Sequence, residues 1–166
     1  LATHLVDTGT QTIVVNGTTG ESPTLMGEEP WELLRAVLDA VGDRASVMMG
    51  TGSNDTRTAI RSTERASELG ADSLLIVTPY YNRPDQRGLL AHFTKVAEHT
   101  DKPIVLYDIA VRTGREIAVS TMAELAQIEH IAGVKDASHD GSKVGDVLNA
   151  TDGAPGGFDV WSGADE

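Results

Sequence analysis

The sequence predicts an α/β fold, in the form of a (β/α)8 barrel. Two observations predict the class: short apolar runs alternate with segments of helical period, and successive runs lie about 25–35 residues apart, the size of a βα unit. The runs are continuously apolar, as in strands buried on both faces of a parallel sheet. The predicted strands are 12–15, 46–49, 73–77, 103–107, 131–134 and 158–161, and the predicted helices are 28–42, 55–69, 85–100, 120–129 and 141–150.

The elements follow from their local patterns. The chain opens, over residues 1–7, in what looks like the end of a helix. The helix at 85–100 carries an apolar stripe that includes Leu89, Phe93 and Val96. Ser120 is the predicted N-cap of the next helix, 120–129. No linker or repeat interrupts the rhythm, so one domain is predicted.

Polar and aromatic residues follow each of the six predicted strands, at 16–21, 50–54, 78–84, 107–114, 135–138 and 162–165. In a barrel these loops converge on one mouth, where such enzymes place their active sites. A doubly wound sheet is the alternative, but it concentrates its site at one switch point. The distribution therefore favours the barrel.

Composition narrows the classes of function. The 166 residues carry a net charge of −12 and no cysteine. Acidic charge disfavours nucleic acid and anionic membranes as partners, and the lack of cysteine excludes disulfides and thiolate metal sites. No apolar run is long enough for a transmembrane helix, no secretory signal opens the chain, and the histidines lack ligand spacing. We expect a cytoplasmic protein that uses neither metal nor cofactor, and the absent initiator methionine suggests a chain that begins within a longer protein.

Lys135 is the strongest single indication of chemistry. It follows a buried strand, and desolvation in a cavity would disfavour its ammonium form and leave an amine nucleophilic toward ketones. The alternative is a structural lysine that pairs with Asp136 or Asp165, and position alone does not choose between the two.

Three further groups of residues are weaker candidates. The loop at 17–22 can bind a carboxylate through backbone amides and hydroxyls, although it also suits an ordinary turn in which Ser22 or Thr24 caps the next helix. Tyr80, Tyr81 and Tyr107 are phenols that can move protons, or rim residues at an interface. Arg112 can clamp a carboxylate in bidentate geometry, or lie solvated at the surface.

Four motifs in register give a more specific indication: GTTGES at 17–22, TPYYNRP at 78–84, LYD with RTG at 106–114, and GVKDA at 133–137. Together they resemble the dihydrodipicolinate synthase family of pyruvate-dependent aldolases, over the whole chain. The resemblance implies that residues 1–166 are a partial catalytic barrel covering about strands two to seven, without the first strand, the last strand and a C-terminal helical region. The implied reaction condenses pyruvate with aspartate semialdehyde, in lysine and diaminopimelate biosynthesis.

The resemblance also implies roles for individual residues. Lys135 would form the imine with pyruvate, and Tyr107 would be the acid and base beside it. Thr18 would relay protons between Tyr107 and Tyr81, and Tyr81 would be offered to the site of a neighbouring subunit. The implied assembly is a homo-oligomer, a tetramer of dimers.

Substrate binding falls to three other residues on the same grounds. Thr19 and Gly17 would bind the pyruvate carboxylate with their loop, and Arg112 would hold the carboxylate of the semialdehyde. Ala110 replaces a proline that is usual in the family, which predicts a looser turn around Arg112.

The regulatory positions depart from the family pattern. Gly27, Pro30 and Thr58 stand where lysine-inhibited members have histidine and glutamate, so feedback inhibition by lysine is not expected. Two alternatives to the synthase remain: a sister aldolase acting on sialic acid or a sugar-derived keto acid, and an inactive fragment. For the 166-residue polypeptide alone we predict an insoluble, molten or self-associating state without synthase activity, because six strands cannot close an eight-stranded barrel.

Overall fold

A computed structural model describes residues 1–163 and contains one six-stranded parallel sheet, in which each strand pairs with the next in the chain. The strands and helices form an incomplete (β/α)8 barrel, as the sequence predicts. The strands are β1 Thr12–Val15, β2 Ser46–Gly50, β3 Ser73–Val77, β4 Ile104–Asp108, β5 Ile131–Asp136 and β6 Asp159–Ser162. The helices are α1 Ala2–Asp7, α2 Glu29–Val41, α3 Thr56–Glu68, α4 Gln86–Ala97, α5 Ala110–Thr113, α6 Val119–Leu125 and α7 Gly141–Thr151.

Three of the helices begin where an aspartate side chain satisfies free backbone N–H groups. Asp55, Asp85 and Asp140 occupy the N-caps of α3, α4 and α7, and each accepts hydrogen bonds from N–H groups of the first turn. The predicted N-cap at Ser120 is wrong: α6 is capped by Ala118 and already includes Ser120. The segment around 118–120 offers several short side chains, so composition alone does not locate this boundary.

The strands differ in burial according to their place in the sheet. All five residues of β4 are buried, as are four of the five in β3, which confirms the prediction for the centre of the sheet. In β1 buried residues alternate with exposed ones, in β2 they alternate with half-buried ones, and in β6 no residue is buried, so burial on both faces is not found in these strands. β1 and β6 each have only one neighbouring strand among the described residues.

Two apolar clusters lie on the sheet. The larger packs residues of the strands, such as Leu74 and Leu106, against helix residues such as Leu34, Leu89 and Phe93. The smaller contains Leu75, Val105, Tyr107 and Ala137. Because successive strand residues point to opposite faces, the smaller cluster lies on the face that looks into the barrel.

None of the helices between residues 1 and 163 combines the length and apolarity that crossing a membrane requires.

Candidate active site

Lys135 and Tyr107 face each other at the carboxyl ends of two neighbouring strands. They are register partners in the pairing of β4 with β5. Their side chains point to the same face, and the Lys135 Nζ lies 4.5 Å from the centroid of the Tyr107 ring. A lysine ammonium at this distance is attracted by the ring, and a lysine amine there has a phenol as its neighbour.

The sequence offers two aspartates, Asp136 and Asp165, as alternative partners of Lys135. Asp136 points to the other face of the strand, where its Oδ1 accepts a hydrogen bond from the backbone N–H of Ser138 at 2.7 Å. Asp165 lies outside the described residues. The structure therefore brings Lys135 to the tyrosine rather than to the adjacent aspartate.

Tyr107 is held in place by its backbone and by burial. Its carbonyl accepts hydrogen bonds from both the N–H and the hydroxyl of Thr78, at 3.0 and 3.1 Å. Only 9% of the residue is exposed. Burial raises the pKa of the phenol, and the positive charge of Arg112 opposes that rise. Tyr107 is therefore a protonated phenol at neutral pH, able to donate a proton.

A cavity of about 380 Å³ opens at the same end of the strands. Its lining combines residues from four of the loops that follow β1 to β4, and it includes Gly17, Thr18, Tyr80, Tyr107 and Arg112. These loops lie far apart in the sequence, so their meeting at one cavity is the convergence that a barrel predicts. Lys135 adjoins this cavity through its contact with Tyr107.

The glycine-containing loop forms two short 3₁₀ turns, Thr18–Gly20 and Ser22–Thr24, instead of an open loop. Gly17 precedes the first turn in extended conformation, and its carbonyl accepts the N–H of Gly20. Thr18 and Thr19 are exposed, with their hydroxyls available to a ligand. The expectation that Ser22 or Thr24 caps the next helix is wrong, because α2 has Glu28 at its N-cap and the Thr24 hydroxyl donates to the carbonyl of Glu21.

Asn16 is a cavity residue that the sequence does not single out. Its side-chain amide donates to the carbonyl of Gly50 at 2.8 Å, and its own backbone has a φ of 59°. A Cβ at Gly50 would lie 2.4 Å from the Asn16 carbonyl oxygen, so the ends of β1 and β2 approach closely only because residue 50 is glycine. The available signal was the asparagine directly after a strand, a residue type that tolerates positive φ.

The two adjacent tyrosines have different environments. Tyr80 is 40% exposed and lines the cavity of its own chain. Tyr81 is 89% exposed and adopts a left-handed backbone conformation, with φ at 70°. An L residue holds this conformation only where its surroundings favour it. The Tyr81 side chain thus projects away from the described chain and is available to another molecule.

Arg112 lies in the four-residue helix α5, where it is exposed. The turn forms without a proline at Ala110: the N–H groups of Arg112 and Thr113 both donate to the Ile109 carbonyl, at 2.9 and 3.0 Å. The Thr113 hydroxyl donates toward the same carbonyl at 3.2 Å. These three hydrogen bonds form the turn around Arg112. The sequence predicts a looser turn here because Ala110 replaces a proline.

A buried ion pair, with an exposed glutamate beside it, lies behind the site on the helix-facing side of the sheet. The Lys143 Nζ lies 2.8 Å from Asp108 Oδ2 and 3.4 Å from Glu116 Oε2. Asp108 is 1% exposed and is the register partner of Asp136. Burial raises the pKa of Asp108. For Lys143, burial acts to lower the pKa, but the hydrogen bond to Asp108 and the charges around it raise the pKa overall. The sequence signal was a lysine in an aspartate-capped helix, which is too common to identify a buried pair.

Histidine, aspartate and glutamate side chains form no group of three or more suited to a metal ion within residues 1–163.

The comparisons with known proteins agree on one family. The sequence model of the dihydrodipicolinate synthetase family matches residues 1–166. A 4-hydroxy-tetrahydrodipicolinate synthase from Acidothermus cellulolyticus is 55% identical over 152 residues, which cover 92% of this chain and 49% of that protein.

Two solved structures share the fold. A dihydrodipicolinate synthase from Bacillus anthracis superposes with a TM-score of 0.94 at 43% identity, over 99% of this chain and 55% of that one. A chloride-inhibited dihydrodipicolinate synthase from Acinetobacter baumannii, complexed with pyruvate, gives a TM-score of 0.91 at 39% identity, over 98% of this chain and 56% of that one. The chain therefore spans about half the length of the relatives that it matches.

Proposed function

The chain belongs to the dihydrodipicolinate synthetase family, and we propose that its protein condenses pyruvate with aspartate semialdehyde to give 4-hydroxy-tetrahydrodipicolinate. The observation that carries the proposal is the approach of the Lys135 Nζ to the Tyr107 ring, 4.5 Å from its centroid, beside a cavity lined by Arg112. Because the chain spans about half the length of its relatives, the activity is proposed for a polypeptide that completes the barrel.

Lys135 is the proposed nucleophile. Its amine attacks the ketone carbon of pyruvate, water leaves, and an imine links the substrate to the Nζ. The imine draws electrons from the neighbouring methyl group, so loss of a methyl proton gives an enamine. The enamine carbon then attacks the aldehyde carbon of the second substrate, and the aldehyde oxygen takes up a proton. The amino group of the second substrate attacks the imine carbon, closes the ring and displaces the Lys135 amine, which leaves the product as a cyclic imine.

Tyr107 is the proposed acid and base for these proton transfers. The loss of water needs a proton donor beside the former ketone oxygen, and a neutral phenol supplies one. Burial, which raises the Tyr107 pKa, keeps that phenol protonated at neutral pH. Thr18 lines the same cavity, and we propose that it relays protons between Tyr107 and the Tyr81 that a second copy of the chain offers.

Carboxylate binding is assigned to two loops. Thr19 and Gly17 belong to the loop whose exposed hydroxyls and backbone amides suit the carboxylate of pyruvate. Arg112 has the planar guanidinium that pairs with a carboxylate through two hydrogen bonds, and its place at the cavity suits the semialdehyde. A sister aldolase acting on sialic acid or another sugar-derived keto acid is the second candidate, since it needs the same lysine and Tyr107.

Tyr81 supports a proposal about assembly. An aromatic side chain 89% exposed on a left-handed backbone suits an interface, where tyrosine is enriched. We propose that Tyr81 completes the site of a second copy within a homo-oligomer, a tetramer of dimers. A cytoplasmic location stays a prediction, with which the cysteine-free sequence is compatible.

The test uses a grafted barrel, defined as the Acidothermus cellulolyticus relative in which the 152 matching residues are replaced by those of this chain. Pyruvate and borohydride should leave one reduced adduct, which mass spectrometry should locate on Lys135. The Lys135→Arg variant, which keeps the charge, should form none. An adduct on Lys95, Lys102 or Lys143, or no adduct in a folded graft, would contradict the assignment.

Substrate class is tested in the same protein. Aspartate semialdehyde should be consumed with pyruvate, whereas N-acetylneuraminate should release no pyruvate. Cleavage of the sugar acid without condensation would favour the sister aldolase instead. Tyr81→Phe should lower kcat more than it raises the KM for pyruvate, because it removes a proton relay and no carboxylate contact.

A further inference from the structure

Two loops at the mouth of the barrel are fastened to each other by arginine side chains. The Arg83 Nε, in the loop after β3, donates to the carbonyl of Gly114 at 2.9 Å, in the loop after β4. In the opposite direction, a guanidinium N–H of Arg115 donates to the backbone carbonyl of Arg83 at 3.3 Å. Each loop thus contributes one donor and one acceptor, and we call this pair of contacts the arginine clasp.

A glutamine extends the connection toward the following helix. The Gln86 side-chain amide donates to the Glu116 carbonyl at 2.9 Å, and its oxygen accepts the N–H of Ala118 at 3.0 Å. Gln86 is the first residue of α4, and Ala118 is the N-cap of α6. The loop that follows β4 is therefore tied to its neighbour on both sides of Glu116.

Gly114 is the residue that makes the arginine clasp possible. Its φ of 74° is a conformation that L side chains rarely adopt. A Cβ on Gly114 would also lie 2.5 Å from the Arg83 Nε and 3.1 Å from its Cζ. The guanidinium therefore rests directly on the backbone of the turn, with no space for another side chain between them.

The turn that the clasp holds is the one that carries Arg112. α5 is a single helical turn of four residues, too short to be stable by itself. Ala110 leaves its backbone without the rigidity that a proline would give. Gly114, the C-cap of α5, follows Arg112 by two residues, so a fixed Gly114 limits where the Arg112 guanidinium can reach.

We propose that Arg83 is a positioning residue, which acts through Gly114 to aim Arg112 at the carboxylate of the aldehyde substrate. The role in catalysis rests on the proposed function, because it needs a carboxylated second substrate. Arg83 acts after imine formation: loss of the Nε contact weakens binding of the aldehyde and leaves the reaction of Lys135 with pyruvate unchanged.

Two substitutions separate the hydrogen bond from the charge. In Arg83→Gln the side-chain amide nitrogen occupies the place of the Arg83 Nε, so the donor is kept and the charge is lost. In Arg83→Met a methyl group of the same reach removes the donor as well. Arg87→Met is the matched control, an exposed arginine on α4 that loses the same charge. Arg83 is itself exposed, so these variants should fold.

In the grafted barrel, Arg83→Met should raise the KM for aspartate semialdehyde about threefold to tenfold, the range that one hydrogen bond accounts for. The KM for pyruvate and the yield of the trapped Lys135 adduct should stay within about twofold of the unmodified graft. Arg83→Gln and Arg87→Met should leave all three quantities near the unmodified values.

Amide hydrogen exchange gives a second readout that needs no activity. Residues 109–118 should exchange faster in Arg83→Met than in Arg83→Gln, while residues 56–68 of α3 exchange equally in both. An unchanged semialdehyde KM, an equal loss with Gln and Met, or unchanged exchange at 109–118 would each overturn the positioning role. A graft that traps no pyruvate would overturn the proposed function and the substrate role with it, while the exchange result still decides whether the clasp holds the turn.

Discussion

The exposed surface of the chain predicts how it behaves when it is produced alone. A compact monomer of 17.6 kDa has a solvent-accessible surface area of about 7,900 Å². The accessible area here is 8951 Å², an excess of about 1,000 Å². Val14 and Trp161, on the two outer strands of the described sheet, are each 44% exposed and belong to this excess.

The free energy attached to that excess is comparable to the stability of a whole domain. If about 57% of it is apolar, as on ordinary protein surfaces, then covering it stabilises the protein by up to roughly 15 kcal/mol at 25 cal/mol per Å². Typical domains are stable by about 5–15 kcal/mol. The 166-residue polypeptide alone should therefore self-associate, precipitate or remain molten, and should show no synthase activity.

The measurement compares residues 1–166 with the grafted barrel at equal concentration. Light scattering after gel filtration should give a larger mass than 17.6 kDa for the chain alone, or a hydrophobic dye should bind it strongly. The graft should bind little dye and unfold in one cooperative urea transition. A soluble 17.6 kDa monomer with a sharp transition, little dye binding and measurable turnover would refute the reasoning, because an open barrel would then be sufficient.

Three smaller predictions concern single residues of the grafted barrel. Lys143→Met should cost about 3–5 kcal/mol of unfolding free energy at neutral pH, since it leaves Asp108 buried and unpaired; the loss should shrink as the pH falls and Asp108 takes up a proton, and Asp108→Asn in that background should restore part of it. Because burial raises the Tyr107 pKa, its contribution to stability should be present below the usual tyrosine value of about 10 and lost as the pH rises through the raised value; urea unfolding of Tyr107→Phe should lack this alkaline loss. Gly50→Ala should destabilise by about 1–3 kcal/mol in urea unfolding, because its Cβ would lie 2.4 Å from the Asn16 carbonyl oxygen; equal stability would mean that β1 can move away.

Periodicity was sufficient to predict the order of strands and helices, and the polar residues after each strand favoured a barrel over a doubly wound sheet. The apolar run at 73–77 coincides with β3, and the helix predicted at 85–100 contains α4. Both were predictable because burial restricts these positions to apolar residues. The prediction from the sequence was least accurate at the start of α6. Polarity and side-chain size do not distinguish Ser120 from its neighbours, and the local backbone bonds place the cap at Ala118.

The candidate site could be predicted in part. Lys135 and Tyr107 each lie one residue before the end of a strand, and the barrel brings strand ends to one mouth, so their approach follows from topology. The Lys143–Asp108 pair could not be predicted in the same way. It joins residues 35 positions apart through their side chains, and neither residue differs in the sequence from an ordinary surface charge.

The loop after β3, at 78–84, explains why sequence patterns predict the strands and helices but not the loops at the mouth of the barrel. Tyr81 and Arg83 both have positive φ, at 70° and 48°, which costs an L residue about 1–3 kcal/mol and persists only where contacts outside the loop compensate. Those contacts are identifiable: the Asn82 side chain donates to the Asn54 carbonyl at 2.9 Å, and the Arg83 Nε donates to Gly114. The loop is thus held from the two neighbouring loops, one on each side. A conformation that depends on partners about 30 residues away in both directions leaves no periodic signal within its own sequence, so it had to be read from the structure.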